Sequence, residues 1–372
     1  MSNPPAFSWW LFSCEHSESR LVITPADFEQ GFEDPPVTLP EVESEALAAI
    51  VYTSGTTGKP KGAMLTHANY LWDAEAIARA VKMASADRFL CILPLFHVNA
   101  QVVTTLVPMI AGGSMVLMRK FSPLEMLETL AKTGATAFSG VPTVYAILNG
   151  TPGADQYDLS RLRFCICGAA PMPIEVFEGF ERKFHAVILE GYGLTEGTCA
   201  SSVNPLDRRK VGSIGVPLEG QEMKLINEEI VIRGPNLMKA YYKDPHATAE
   251  AIKDGWLYTG DLGRVDKQGY FFIIGRKKEM IVRGGQKIYP KEVEEVLYQH
   301  SAVAEAAVVG ISDLTWGEQV TAYVVRRGSV SEAELMAFCC ERLADFKCPK
   351  TVVFQKVLQK TATGKIQKHL LK

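Results

Sequence analysis

A large α/β domain with a mostly parallel sheet, carrying a small β-rich subdomain and followed by a small α+β lid, is the fold class the sequence predicts. Three observations point there. From Leu47 to Leu189 short apolar runs alternate with helical spacing, the pattern of layered α/β units. After Gly193 the texture changes to short β-rich segments separated by Gly and Pro. After Gly275 a basic stretch opens a mixed region of about 95 residues, within the ordinary size of a domain. The expected division is therefore 1–275 and 276–372.

Taken in order, the opening apolar run Phe7 to Phe12 is followed at once by Glu15 with no basic leader, so it predicts neither a signal peptide nor a membrane span. Residues 13 to 45 are rich in proline and acids and predict an irregular lead-in with one short strand at Leu21 to Ile23. Leu47 to Val51 reads as a strand, Tyr52 to Gly62 as a polar glycine loop, and the stretch from near Thr66 through Met83 as a helix. Further strands are expected at Phe89 to Leu93, Met115 to Met118, Thr136 to Phe138, Phe164 to Cys167 and Val187 to Leu189. Between them, Pro123 to Lys132 and Ile174 to Phe184 have helical spacing. The β-rich part contributes Glu222 to Ile226, Ile230 to Arg233 and Tyr270 to Ile274. The last region contributes helices at Pro290 to Gln299 and Ser331 to Leu343 and strands at Ala306 to Gly310 and Val320 to Val325.

At 372 residues, 47% hydrophobic and 22% charged, the chain has the composition of a globular protein with room for a large core. Its net charge of −3 gives no electrostatic footprint for nucleic acid. The eight cysteines show no paired Cys-x-x-Cys spacing and sit mostly in apolar runs, as reduced core residues of a cytoplasmic protein do.

The loop Tyr52 to Gly62 holds the strongest chemistry. Gly55, Gly58 and Gly62 allow close backbone approach to a ligand. Thr53, Ser54, Thr56 and Thr57 supply hydroxyls, and Lys59 and Lys61 supply charge, a combination suited to a polyphosphate. The P-loop of nucleotide hydrolases is excluded because Gly58-Lys59 is followed by Pro60, which has no hydroxyl for magnesium. His97 follows a strand end, where α/β sheets keep their ligands. Gly168, Ala169 and Ala170 end another strand and leave a flat backbone surface for a base. Glu190 to Glu196 joins Gly191 and Gly193 to Tyr192, Thr195 and a carboxylate. Beside phosphate, Glu196 calls for a hard cation, Mg²⁺. Asp261 sits in a glycine turn and suits the hydroxyls of a ribose. Each of these, met alone, is also an ordinary turn.

In order from Tyr52 to Ile366, these motifs resemble the adenylate-forming superfamily of acyl-CoA synthetases, luciferases and peptide-synthetase adenylation domains, and most closely the acyl-CoA synthetases. The resemblance implies ATP, Mg²⁺ and coenzyme A, and a small carboxylic acid as substrate. It implies that His97 gates the acyl pocket, that Gly168 to Ala170 and Tyr192 hold adenine, and that Thr195 reaches the α-phosphate while Glu196 holds magnesium. Asp261 and Arg276 would hold the ribose, Lys278 would be the hinge between domains, Gly284 and Gly285 would meet the thiol's pantetheine arm, and Lys365 would be the adenylation lysine. Only 51 residues precede Tyr52, fewer than the family usually carries, and the segment before Ile230 is abbreviated. The expectation drawn from this is an open acyl pocket and self-association into a homo-oligomer. Two alternatives stand beside the ligase: transfer of the acyl group to an external carrier protein, and a nucleotide-binding module without turnover.

Overall fold

Alternation along the strands decides how the large domain is layered. The computed structural model describes residues 41–54, 60–170, 172–361 and 365–371. In chain order it begins with β1 (Leu47–Ser54), β2 (Pro60–Thr66), α1 (His67–Ala80) and β3 (Arg88–Cys91), then a π-helical segment Asn99–Leu106 and α2 (Val107–Ile110). Next come β4 (Ser114–Leu117), α3 (Pro123–Thr133), β5 (Ala137–Gly140), α4 (Pro142–Gly150), β6 (Phe164–Cys167), α5 (Ile174–Phe184) and β7 (Val187–Tyr192). A seven-stranded sheet runs β4-β3-β5-β6-β7 and continues through β8 (Ser202–Val203) and β9 (Val216–Pro217). Its first five strands are parallel and its last two antiparallel.

Successive side chains on a strand face opposite sides, and the two cores follow from that. Leu90, Phe138, Cys165 and Ile188 share a core with α3, α4 and α5 through Leu127, Tyr145 and Phe180. Their neighbours Phe89, Ala137, Phe164 and Leu189 pack on the other face with Ile77 of α1 and Val102 of the π-helical segment. Both faces are covered, as an all-parallel sheet requires.

Two smaller β layers follow. The strands β10 (Glu222–Ile226), β11 (Glu229–Arg233), β13 (Ile252–Lys253), β14 (Trp256–Val265) and β15 (Phe271–Arg276) form an antiparallel sheet. The strand β12 (Ala240–Tyr241) instead joins β2, and α6 (Pro245–Ala251) follows it. The last sheet holds β16 (Ile281–Arg283), β17 (Gln286–Ile288), β18 (Val303–Asp313), β19 (Gly317–Arg326) and β20 (Thr351–Gln355). It has its own core with α7 (Pro290–Tyr298) and α8 (Glu332–Cys340), built on Val293, Leu297, Val308, Val324 and Leu335.

The expected elements among the described residues form, with several differences. Asp261, read as part of a glycine turn, lies on β14 because that strand finds partners in β11 and β15. The stretch read as strand, loop and helix is a hairpin before the helix, because Pro60–Thr66 pairs antiparallel with β1 from Ser54↔Pro60 to Leu47↔Thr66. Thr66 then caps α1 through a reciprocal pair of hydrogen bonds with Asn69, which fixes where strand ends and helix begins. The helices α4 and α6, the π-helical segment and the strands β14, β16, β17 and β20 are among the additions to the sequence reading. The expected strand at Leu21 to Ile23 lies outside the described residues. Among those described, no helix is long and apolar enough to cross a membrane, and Cys165 and Cys167 are buried free thiols.

Candidate active site

At the carboxyl ends of the parallel strands a cleft of about 620 Å³ opens between the large sheet, the β1–β2 hairpin, the β10–β15 layer and the C-terminal arm. The hairpin supplies one wall. Thr53 pairs with Lys61 at its mouth, and both line the cleft. Gly62 lets the two strands approach, since a Cβ there would lie 2.6 Å from Ile50 Cγ2. Gly55, Thr56, Thr57, Gly58 and Lys59 lie outside the described residues, as does the side chain of Ser54.

The turn after β7 supplies the floor. A side chain at Gly193 would place Cβ 1.7 Å from the Cys199 carbonyl oxygen, so only glycine permits this approach. The turn carries Thr195 and Glu196 into the cleft. Glu196 Oε1 accepts from the Tyr241 hydroxyl at 2.7 Å and from Thr53 Oγ1 at 3.4 Å. Burial and then the facing Glu196 charge push the Tyr241 phenol above its ordinary pKa, so it stays protonated and donates. Glu196 Oε2 takes no hydrogen bond among the described residues, and these include no cluster of three or more His, Cys, Asp or Glu side chains able to cage a metal. A carboxylate that lines the cleft beside Thr53 and Lys61 fits Mg²⁺, which is held by one or two carboxylates plus phosphate oxygens.

A third wall is built from paired side chains. Tyr192 donates to Asp261 Oδ2 at 2.7 Å, and Arg276 Nε donates to Oδ1 at 2.6 Å. The pairing is set by backbone register, since Asp261 and Arg276 are opposite each other on β14 and β15. Burial works against the Arg276 charge, but the Asp261 carboxylate outweighs it and raises the guanidinium pKa. Gly168 and Ala169 continue this wall. Ala169 holds φ at +69°, a conformation uncommon for a residue with a Cβ and found at ligand sites.

The remaining lobe is apolar, lined by Ile77, Val98, Val103, Ile166, Cys199 and Val203. His97 stands at its rim, where its Nδ1 accepts from the Asn99 amide at 3.2 Å. Desolvation and then the Lys365 charge pull the His97 pKa down to about 4, so the imidazole is neutral at neutral pH. Lys365 reaches the same cleft from the C-terminal arm. Desolvation, then Arg276 and more weakly Lys278, lower its pKa, while Asp261 and Glu196 oppose the shift.

The model of the AMP-binding enzyme family matches residues 10–242, and that of the AMP-binding enzyme C-terminal domain matches residues 292–365. The chain belongs to the AMP-binding enzyme family. It is 40% identical over 353 residues to a long-chain-fatty-acid–CoA ligase of Bacillus subtilis (strain 168), covering 90% of this chain and 63% of the relative. It is 39% identical over 378 residues to a feruloyl-CoA synthase of Amycolatopsis sp, covering 95% and 76%. Among solved structures, o-succinylbenzoate CoA synthetase from Bacillus subtilis, in complex with its acyl-adenylate intermediate, superposes with a TM-score of 0.83 at 31% identity, covering 98% of this chain and 80% of that one.

In this AMP-binding enzyme the structure gathers Thr53, Lys61, His97, Gly168, Ala169, Gly191, Tyr192, Gly193, Thr195, Glu196, Arg276, Lys278 and Lys365 around one cleft. Asp261 lies just behind the wall, 4% exposed, and acts on the cleft through Tyr192 and Arg276. Ala170 follows the lining residues without joining them. Glu190 turns away: its Oε2 accepts from the Gly212 amide at 2.9 Å, and desolvation raises its pKa to about 7. Gly284 and Gly285 are also apart from the cleft, at the β16–β17 turn with φ of +56° and +80°. The Gly284 amide donates to the Trp316 carbonyl at 2.8 Å. Sequence reasoning missed Tyr241, whose only signal was a paired aromatic, Tyr241-Tyr242, in an otherwise polar turn. It also missed Tyr258 and Thr259 as lining residues.

Proposed function

We propose that the protein is an acid–thiol ligase that activates a carboxylic acid with ATP to an acyl-adenylate and then transfers the acyl group to coenzyme A. One observation carries this reading. A lysine from the C-terminal arm, Lys365, enters the cleft where Glu196, Arg276 and His97 already stand. The relatives named as CoA ligases support the choice of acceptor.

In the first half-reaction a carboxylate oxygen attacks the α-phosphorus and pyrophosphate leaves. Gly168, Ala169 and Tyr192 hold the base, Arg276, set in place by Asp261 behind it, the ribose, and Thr53, Lys61 and Thr195 the phosphates. Lys365 offsets the charge that builds on the transferring group. Bound Mg²⁺, held by Glu196, would neutralise phosphate charge. In the second half-reaction the thiol sulfur attacks the acyl carbonyl and AMP leaves. Within the expected 276–372 unit we assign the part after Lys278 as a lid that turns about that residue between the steps, withdrawing Lys365 and bringing up Gly284 and Gly285, while Arg276 stays on β15 opposite Asp261. Such alternation lets one cleft serve two transition states.

The apolar lobe favours an acid whose acyl part is uncharged, aliphatic or aryl, because a buried second carboxylate needs a partner charge. A panel of monocarboxylic and dicarboxylic acids, read by AMP release with and without CoA, tests the function. AMP release that depends on a neutral acid and rises with CoA is expected. Release only with a carrier protein would move the acceptor, and release with neither would leave a nucleotide-binding module. Light scattering across a dilution series tests the expected homo-oligomer.

A further inference from the structure

The arm that carries Lys365 is tied to the turn after β15 by an ion cluster of Lys368, Glu279 and Glu294. Lys368 Nζ lies 3.0 Å from Glu279 Oε2 and 2.8 Å from Glu294 Oε1. Glu279 is the residue after Lys278, and Glu294 belongs to α7. The cluster is sheltered: the side chains of Lys368, Glu279 and Glu294 are 21%, 30% and 15% exposed. Glu294 Oε1 also accepts from the Val308 amide at 2.7 Å, which anchors the cluster to β18.

Among the described residues, the arm folds back on itself and residues 368–371 pack beside β18. Thr361 N donates to the Lys365 carbonyl at 2.8 Å, Gln367 N donates to the Gln359 carbonyl at 2.9 Å, and Lys360 pairs with Ile366 in an isolated bridge. These bonds join the two sides of the arm to each other. Two cations join the arm to the lid body: Lys360, 2.6 Å from Glu305 Oε1 on β18, and Lys368. Of these, only Lys368 reaches the hinge turn. Burial opposes its charge, yet Glu294 and then Glu279 raise its pKa above the ordinary lysine value, so it remains a cation.

We propose that Lys368, held between Glu279 and Glu294, is a positioning residue that fixes the Lys365 arm to the hinge turn, so that rotation about the hinge places or removes Lys365 as part of a rigid lid. The proposal rests on the reading of Lys365 as the adenylation lysine. Removing the ammonium leaves two sheltered carboxylates facing each other without a counter-charge, which costs more than the net value of the pairs. The arm then detaches while the lid core keeps its own packing.

Lys368→Met tests this beside Lys368→Arg in the full chain. Two half-reactions are measured separately: acid-dependent exchange of pyrophosphate into ATP, and thioester formation from supplied acyl-adenylate and CoA. Lys368→Met is expected to slow exchange by about ten-fold or more through kcat, with KM for ATP little changed. Thioester formation should stay within about two-fold, and Lys368→Arg should restore exchange. Amide hydrogen exchange across residues 365–371 should accelerate in Lys368→Met and not in Lys368→Arg. Equal loss in both half-reactions, or unchanged hydrogen exchange in the arm, overturns the proposal. A wild-type protein without pyrophosphate exchange would instead overturn the role of Lys365, leaving hydrogen exchange to decide the tether.

Discussion

The wall of Tyr192, Asp261 and Arg276 and the Lys365 arm meet at the same cleft but are built in opposite ways. The wall is cross-linked by backbone register: Asp261 and Arg276 are strand partners, and Tyr192 completes the carboxylate. The arm is joined to the lid body through the cations Lys360 and Lys368. The wall is thus held by strand pairing alone, while on the proposed reading Lys365 keeps its place in the cleft only as long as the lid holds that position. A site that must serve two reactions needs this asymmetry, because the group required in only one of them has to be removable.

The comparison can be broken most sharply at the arm. Lys365→Ala should slow adenylate formation by about 10²–10³-fold, the usual cost of removing one transition-state charge donor, while thioester formation from supplied adenylate is retained. Single-turnover assays of each half-reaction check this, and equal losses would reject a lysine that acts in one step only. Next in size is Lys278→Pro. Proline fixes φ and opposes a backbone rotation, so the thioester step should fall more than adenylation. Unchanged turnover would place the hinge elsewhere.

On the wall side, Asp261→Asn keeps the shape but removes the charge that faces Arg276. ATP affinity should fall by about ten-fold, in line with losing one charge-assisted hydrogen bond of about 1.5 kcal/mol. Equilibrium binding of ATP reads this directly, and an unchanged affinity would remove Asp261 from the wall. A smaller effect is expected for Tyr241→Phe, which deletes the 2.7 Å hydrogen bond to Glu196. Half-saturating Mg²⁺ should shift by a few-fold, for a bond worth about 1 kcal/mol, and Mn²⁺ binding followed by electron paramagnetic resonance gives the same shift independently of turnover.

The smallest effect concerns pH. Lys365 acts while protonated, and its pKa lies below the ordinary lysine value, so adenylation should be complete below that pKa and lost as pH rises through it. Lys278→Gln removes one of the cations that lower it, and the alkaline limb should move upward. A limb that does not move would mean that Lys278 does not face Lys365.

Much of this was legible in the sequence because the site is carried by short motifs at strand ends. Gly193 and Glu196 are named by the chemistry of their short motif, and apolar runs such as Phe164 to Cys167, alternating with helical spacing, placed the sheet. The rest depended on tertiary context. Pro60 to Gly62 reads as loop until β1 offers it a partner. The helix α4 was missed because Val144, Tyr145, Ile147 and Leu148 form an apolar cluster without a clear polar face, which periodicity cannot separate from a strand. Glu190 was grouped with the ligand residues by its neighbours, yet strand alternation turns it to Gly212. Tyr241 and Lys368 act across distances in sequence that no local pattern spans.

The central claim is that this cleft forms a free-standing acyl-adenylate before any thiol takes part. Exchange of labelled pyrophosphate into ATP, measured with a neutral carboxylic acid present and CoA absent, tests it most directly. The account predicts exchange that requires the acid and disappears in Lys365→Ala. Exchange that occurs without acid, or only once CoA is added, would contradict it.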